Sequence, residues 1–235
     1  MCEGCVAMMQ TNSPNASAPL APSQAIRRAL GRYGSQSLGI RGFVLARHIL
    51  APLASVAAAV PDRGRILDVG CGHGLFANAL ALGSPRREVL GVDPSGAKIA
   101  VARTSAEGLP NVRYVQGTVQ DIGERNFDAI TILDVLYLLP IEDKLAMLRA
   151  CRERIATDGV FVVKTNDTQP PWKYRVARLQ EQAMTGIGLT MGHGLYFQSR
   201  EQNASLLELA GFKTRFVDLN NWLPYPHVMF VCTPA

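Results

Sequence analysis

The stretch Ile66-Leu67-Asp68-Val69-Gly70-Cys71-Gly72-His73-Gly74 limits the folds open to this chain more than any other. A short apolar run of this kind suits a strand covered on both faces of a parallel sheet. Glycines at 70, 72 and 74 remove the Cβ atoms, so the backbone can turn sharply and a ligand can approach it closely. Leu75-Phe76-Ala77-Asn78-Ala79-Leu80 follows as a helix whose free N–H groups point back toward that ligand. A second apolar run, Val89-Leu90-Gly91-Val92-Asp93, ends in an acid where a carboxylate can accept from a ribose diol.

From there to the C-terminus strands and helices alternate, which calls for a parallel sheet with helices on both faces. Strands are expected at Glu88 to Val92, Val112 to Gln116, Phe127 to Leu133 and Val160 to Val163. Ser95 can cap a helix over Gly96 to Ala106. Pro140 opens another, with Ile141, Leu145, Leu148, Cys151 and Ile155 as its buried stripe and a turn at Asp158-Gly159 after it. Phe212 to Asp218 and His227 to Cys232 lie close enough in sequence to pair antiparallel.

Ahead of the first strand, Gln24 to Leu30 can form a short helix, and Gly31, Gly34 and Gly39 mark a loop. Leu45, Ile49, Leu53, Val56 and Val60 then fall on one helical stripe, with Arg47 on the opposite side. The expected organisation is an unstructured tail over 1–23 and one domain over 24–235. That domain includes a helical cap at 24–62 and an inserted cap segment at 166–211. At 235 residues and 48% hydrophobic content, the chain can bury one substantial core.

The acid-x-Gly-x-Gly-x-Gly pattern of Asp68, Gly70, Gly72 and Gly74 resembles the first motif of the class I S-adenosylmethionine-dependent methyltransferases. A nicotinamide-type G-x-G-x-x-G turn would place its third glycine at 75, which is Leu75. The resemblance spans roughly Arg65 to Cys232. It implies a seven-stranded sheet of order 3-2-1-4-5-7-6 with the last strand antiparallel, and S-adenosyl-L-methionine as cofactor. By the same resemblance Gly70, Cys71 and Gly72 line the amino-acid end of the cofactor, Gly74 completes the turn, and Asp68 helps hold the ammonium. Asp93 takes the ribose hydroxyls, Pro94 faces the adenine, and Leu133 walls the methionine pocket. Thr118-Val119 stands where relatives commonly carry an acid and alanine against adenine. Thr118 is a weaker, neutral acceptor there, with Asp121 as an alternative.

Candidate catalytic residues are Asp134 and Tyr137 after the fourth strand, and the histidines His193 and His227. Trp172, Trp222 and Tyr225 are candidates for an apolar acceptor pocket. The expected activity is methyl transfer to a small, partly apolar metabolite or lipid-like precursor. A nicotinamide-dependent oxidoreductase and a cofactor-binding protein without catalysis are the alternatives.

Charge and cysteine usage bound the partners. Residues 1–60 hold Arg27, Arg28, Arg32, Arg41 and Arg47 against Glu3 alone, so most of the net +5 lies there. That asymmetry leaves weak peripheral membrane contact through 24–60 as an option. No transmembrane segment is expected, because Arg47, His48 and Pro52 interrupt the longest apolar stretch. A nucleic-acid partner is not expected, since no basic-aromatic stripe is present. Five cysteines without framework spacing point to the cytoplasm, and no metal site is expected.

Overall fold

The computed structural model describes residues 18–186, 194–219 and 225–235. Its centre is one seven-stranded sheet of order β3-β2-β1-β4-β5-β7-β6. The strands are β1 (Gly64–Val69), β2 (Arg87–Asp93), β3 (Val112–Gln116), β4 (Phe127–Leu133), β5 (Ile155–Asn166), β6 (Phe212–Asp218) and β7 (His227–Pro234). Strands β1 to β5 pair in parallel, while β7 runs antiparallel to both β5 and β6. The order and the reversed strand agree with the sequence reading, and each expected strand falls within an observed one, although β5 starts five residues earlier than Val160.

Helices α4 (Leu75–Gly83), α5 (Gly96–Ser105) and α6 (Ile141–Arg152) connect the strands. Helices α7 (Pro171–Gly186) and α8 (Arg200–Leu209) occupy the long stretch before β6. The apolar strands are covered on both faces, and the core divides accordingly. One cluster gathers Ile66, Val89, Ala129 and Val162 with helices α1 (Pro22–Gly31), α3 (Leu53–Ala58) and α4; the other gathers Leu67, Leu90, Ile130 and Phe161 with α6 and α8. Strand order reverses at β1, which has β2 on one side and β4 on the other. The cleft that ligands use in such sheets therefore opens beyond Val69, Asp93 and Leu133.

Several local expectations need correction. Helix α1 (Pro22–Gly31) begins inside the stretch read as unstructured, and Leu20 N donates to Gly83 O at 2.8 Å. Gly39 lies within a helix, α2 (Leu38–Leu50), because Ser37 caps its N-terminus through Ile40 N. The long stripe from Leu45 to Val60 is not one helix. Ala51 is extended and Pro52 caps a separate short helix, α3 (Leu53–Ala58). Leu45 and Ile49 are consequently half exposed, and Val44 is the buried residue of α2. Arg47, expected on the outer side, faces the cleft.

On the far side, α6 stops at Arg152, so Ile155 belongs to β5 and Ile141 is exposed. Pairing jumps from Phe127↔Ile155 to Ala129↔Val160, and the residues between bulge out where a turn was expected.

Candidate functional site

A cavity of about 320 Å³ opens at the C-terminal ends of β1, β2, β4 and β5, with α2 and α3 forming its outer wall. The glycine turn forms its floor. Gly70 N and Cys71 N both donate to Val92 O, at 2.8 and 3.1 Å, which ties the turn to β2. Gly70 and Gly72 have φ of +72° and +55°, a region open to glycine at little cost. A Cβ on Gly70 would stand 2.4 Å from Val135 Cγ2, whereas one on Gly72 would meet nothing within 4 Å. Gly72 therefore leaves bare backbone facing open space. Gly74 is not among the lining residues; its missing Cβ makes room for the Tyr114 hydroxyl and Ala102 beneath the turn.

Asp93 holds the turn from the next strand. Its Oδ2 accepts from Gly72 N and its Oδ1 from Ser95 N, both at 2.9 Å. An ionised carboxylate has about four acceptor positions, so both oxygens keep capacity for a further donor. Pro94 follows in the wall, and Thr118 and Val119 line it from the β3 side. Thr118 is less available than its position suggests. Its N and Oγ1 both donate to Asp121 Oδ2, at 2.7 and 2.8 Å, closing a cap on the turn after β3. Asp121 is thus turned to Thr118 as the partner of this cap.

Asp68 is the unusual group. It is buried, its Oδ1 accepts from Thr131 Oγ1 at 2.7 Å, and its Oδ2 has no hydrogen-bond partner among the described residues. Burial pushes its carboxyl up to about 7, against the opposing influence of the Thr131 bond and Arg47. A bare buried carboxylate oxygen on a cavity wall is a place prepared for a cation or a donor.

At the β4–β5 end, Asp134 sits at φ +58°, a left-handed conformation that aspartate tolerates better than most residues. Lys164 Nζ donates to its Oδ1 at 2.6 Å, and Arg47 Nη2 approaches its Oδ2 at 3.2 Å. The same Arg47 nitrogen donates to Leu133 O at 3.1 Å, so α2 is stapled to the end of β4. Burial pushes Asp134 up, but Lys164 and Arg47 outweigh it and hold the carboxyl below the usual range. Asp134 is therefore an anchored anion, held between two cations at the end of β4.

His227 lies beside this pair. Its Nε2 is 2.8 Å from Leu50 O, and its Nδ1 is 2.9 Å from Asn166 Oδ1. Burial, reinforced by Lys164, lowers its pKa to about 3, so the ring is neutral near pH 7. A carbonyl can only accept, so the single N–H belongs on Nε2, toward Leu50. Nδ1 then needs a donor, which Asn166 supplies if its amide is turned to present the nitrogen. His227 is thus a latch between β7 and the end of α2, and a poor base near neutrality.

Leu133 and Tyr137 line the cavity, and Tyr137 also stacks on Phe197 with ring centroids 4.8 Å apart. Tyr225 lines it as well, whereas Trp172 is more than half exposed and is not among the lining residues. His193 and Trp222 lie outside the described residues. The sequence reading missed Arg47, Lys164, Asn166 and His73 as lining residues. Lys164 carried a usable signal, a lone cation closing the apolar run of β5, which requires a buried counter-charge.

No helix of the described residues is long and apolar enough to cross a bilayer, and those residues hold no cluster of three or more metal-ligating side chains.

Residues 66–159 match a family described as "Methyltransferase domain". Over 122 residues the chain is 38% identical to a ubiquinone biosynthesis O-methyltransferase of Cereibacter sphaeroides, covering 49% of this chain and 47% of the relative. The chain thus spans about half the length of the curated relatives it matches. Among solved structures, the pyocyanin biosynthetic protein PhzM superposes with a TM-score of 0.68 at 22% identity, over 89% of this chain and 62% of that one. The DhpI–SAH complex superposes with a TM-score of 0.61 at 21% identity, over 92% and 95%.

Proposed function

We propose, from the premise that this chain carries a class I S-adenosylmethionine-dependent methyltransferase domain, that it methylates a small organic acceptor. The observation that carries this reading is the pairing of Asp68 with Gly72. A buried carboxylate oxygen without a partner among the described residues and a stretch of backbone that has no Cβ line one and the same cavity. The amino-acid ammonium and carboxylate of S-adenosylmethionine fit that combination, the ammonium toward Asp68 and the carboxylate toward the turn. Asp93 is the residue for the ribose diol, and Pro94, Thr118 and Val119 flank the place for the base. Leu133 and Cys71 border the methionine chain. When bound, the cofactor supplies a methyl group already activated by a sulfonium.

The residues of this chain do the rest. Helices α2 and α3 cover the cleft and exclude water, and Phe43, Leu50 and Tyr137 give the acceptor end an apolar wall. Asp134, Lys164 and Arg47 fix that wall to the sheet. The comparison proteins act in the biosynthesis of ubiquinone and pyocyanin, which supports a small-molecule acceptor here. Free thiols at Cys71, Cys151 and Cys232 support a cytoplasmic setting. Leu38, Leu45 and Ile49 face outward on α2, and a peripheral membrane contact would use them.

Calorimetric titration tests the reading directly. S-adenosylmethionine should bind, NAD should not, and labelled methyl groups should appear in small extractable molecules. Asp93→Ala should weaken cofactor binding by roughly 1.5–3 kcal/mol, the scale of a lost charge-assisted hydrogen bond. Binding of NAD instead, or an unchanged dissociation constant for the variant, overturns the assignment.

A further inference from the structure

We infer that Lys144 is a positioning residue for the acceptor wall: its ammonium holds residues 196–198 in place, and these in turn hold Tyr137. The consequence for acceptors rests on the methyl-transfer reading above. Lys144 belongs to α6 and is 1% exposed, one of the largest fully buried side chains of the fold. Its Nζ donates to Tyr196 O and to Gln198 Oε1, both at 2.6 Å. Both partners are neutral oxygens, and burial alone lowers its pKa, to about 8. A buried ammonium that meets no carboxylate is costly, and a methionine of similar length would fill the space without that cost. What the ammonium adds is directed donors. Here they converge on one short segment, 52 and 54 positions further along the chain.

That segment backs the cavity wall. Residues 196–198 belong to no helix or strand, so their position depends on such anchors. Tyr196 N donates to Tyr137 O at 2.7 Å. The Phe197 ring lies 13° from parallel with the Tyr137 ring, and Tyr174 of α7 meets Phe197 edge-on at 5.4 Å. Backbone and ring of Tyr137 are thus both supported by two consecutive residues. Tyr137 itself sits in a single 3-10 turn, Leu136–Leu138, and its ring position depends on what packs behind it.

The support is confined to one end of the site. Tyr137 lines the cavity, whereas Lys144, Tyr196 and Phe197 are not among the lining residues. Asn203 Nδ2 of α8 donates to Gln198 O at 3.2 Å, so the far end of the segment has its own anchor. Lys144 fixes the part beside Tyr137. Without the ammonium, the Tyr196–Tyr137 bond and the ring stack lose their register. The apolar wall then changes shape, while Asp68 and Asp93 keep their places on β1 and β2.

The test uses the full chain at pH 7. Lys144→Met keeps the side-chain length and removes the charge. Amide exchange at Tyr196, followed by NMR, should speed up about tenfold or more in this variant. The Tyr137 ring resonances should move toward free-tyrosine positions as the stack loosens. Affinity for S-adenosylhomocysteine, measured by calorimetry, should stay within about twofold of wild type. Lys144→Arg, which keeps the charge and the donors, should recover part of the exchange and ring signals. Gln198→Ala removes one of the two partners and should give the same changes in smaller measure, which provides a folded variant if Lys144→Met does not fold. With tritium-labelled S-adenosylmethionine and a small-molecule extract as acceptor mixture, the proportions of labelled products should shift in Lys144→Met. An extract left unlabelled by wild type removes the methyl-transfer reading, and the exchange and ring signals still decide whether Lys144 positions Tyr137. Unchanged exchange and ring signals in the folded variants overturn the inference. So does a loss of S-adenosylhomocysteine affinity in step with the loosening at Tyr196, or a product pattern indifferent to a displaced ring.

Discussion

Asp68 shows at the residue scale how binding and stability oppose each other. Its carboxyl rises to about 7 in the folded chain from an ordinary value near 3.8, so the fold disfavours its charged form. Below pH 4 the group is protonated in both folded and unfolded chains and carries no penalty. As pH climbs through 7 the penalty becomes complete, on the order of 2–4 kcal/mol. Asp68→Asn should therefore raise the denaturation midpoint of the ligand-free protein at pH 8 and leave it nearly unchanged at pH 4. On the function proposed above, the same change should cost cofactor affinity, because the ammonium would lose its counter-charge; a variant less stable than wild type at pH 8 would contradict the stability account. Asp68 and Asp93 were legible because they close apolar strands at a spacing that only a ligand or a turn explains. Arg47 was not. In sequence it interrupts an apolar stretch, and only the tertiary approach of α2 to β4 brings it within 3.2 Å of Asp134.

Among the elements, the strands were read well and the N-terminal helices poorly. Runs such as Val89 to Val92 are buried on both faces, so the sequence has one way to satisfy them. The segment 38–60 offers apolar residues on every side, and Pro52 decides where the stripe breaks. Asp158-Gly159 misled for a related reason: the residues after Ile155 bulge within a strand instead of preceding one. Helix α1 docks on α4 through small residues, with Ala29 fully buried and Ala25 beside Gly83. Close approach of that kind has no spare volume. Ala29→Leu should destabilise the protein by about 1–3 kcal/mol through overpacking, read as a lower urea midpoint with an unchanged slope. An unaffected midpoint would mean that α1 is held loosely, and the cap over the cleft with it.

For the whole molecule, two buried groups titrate against one another. His227 is held near 3, below its free value of 6.5, so acidification from 6.5 toward 3 favours the unfolded chain, which takes up the proton first. Asp68 works in the opposite sense over nearly the same window, from 7 down to 3.8. From these two groups, the ligand-free protein should show a nearly flat stability between pH 7 and 4. Asp68→Asn should uncover the His227 slope, and His227→Gln should leave stability rising on acidification. Matching slopes in all three proteins, followed by thermal melts across that range, would show that neither shift is real.

The vacant oxygen of Asp68 also bears on how long such a protein lasts. A ligand that binds only the native form, and relieves a charge the native form otherwise tolerates badly, lowers the unfolded fraction on both counts. Proteolytic turnover of the empty chain should then outpace that of the loaded one, so on the function proposed above the supply of methyl donor would govern the quantity of this protein as well as its rate.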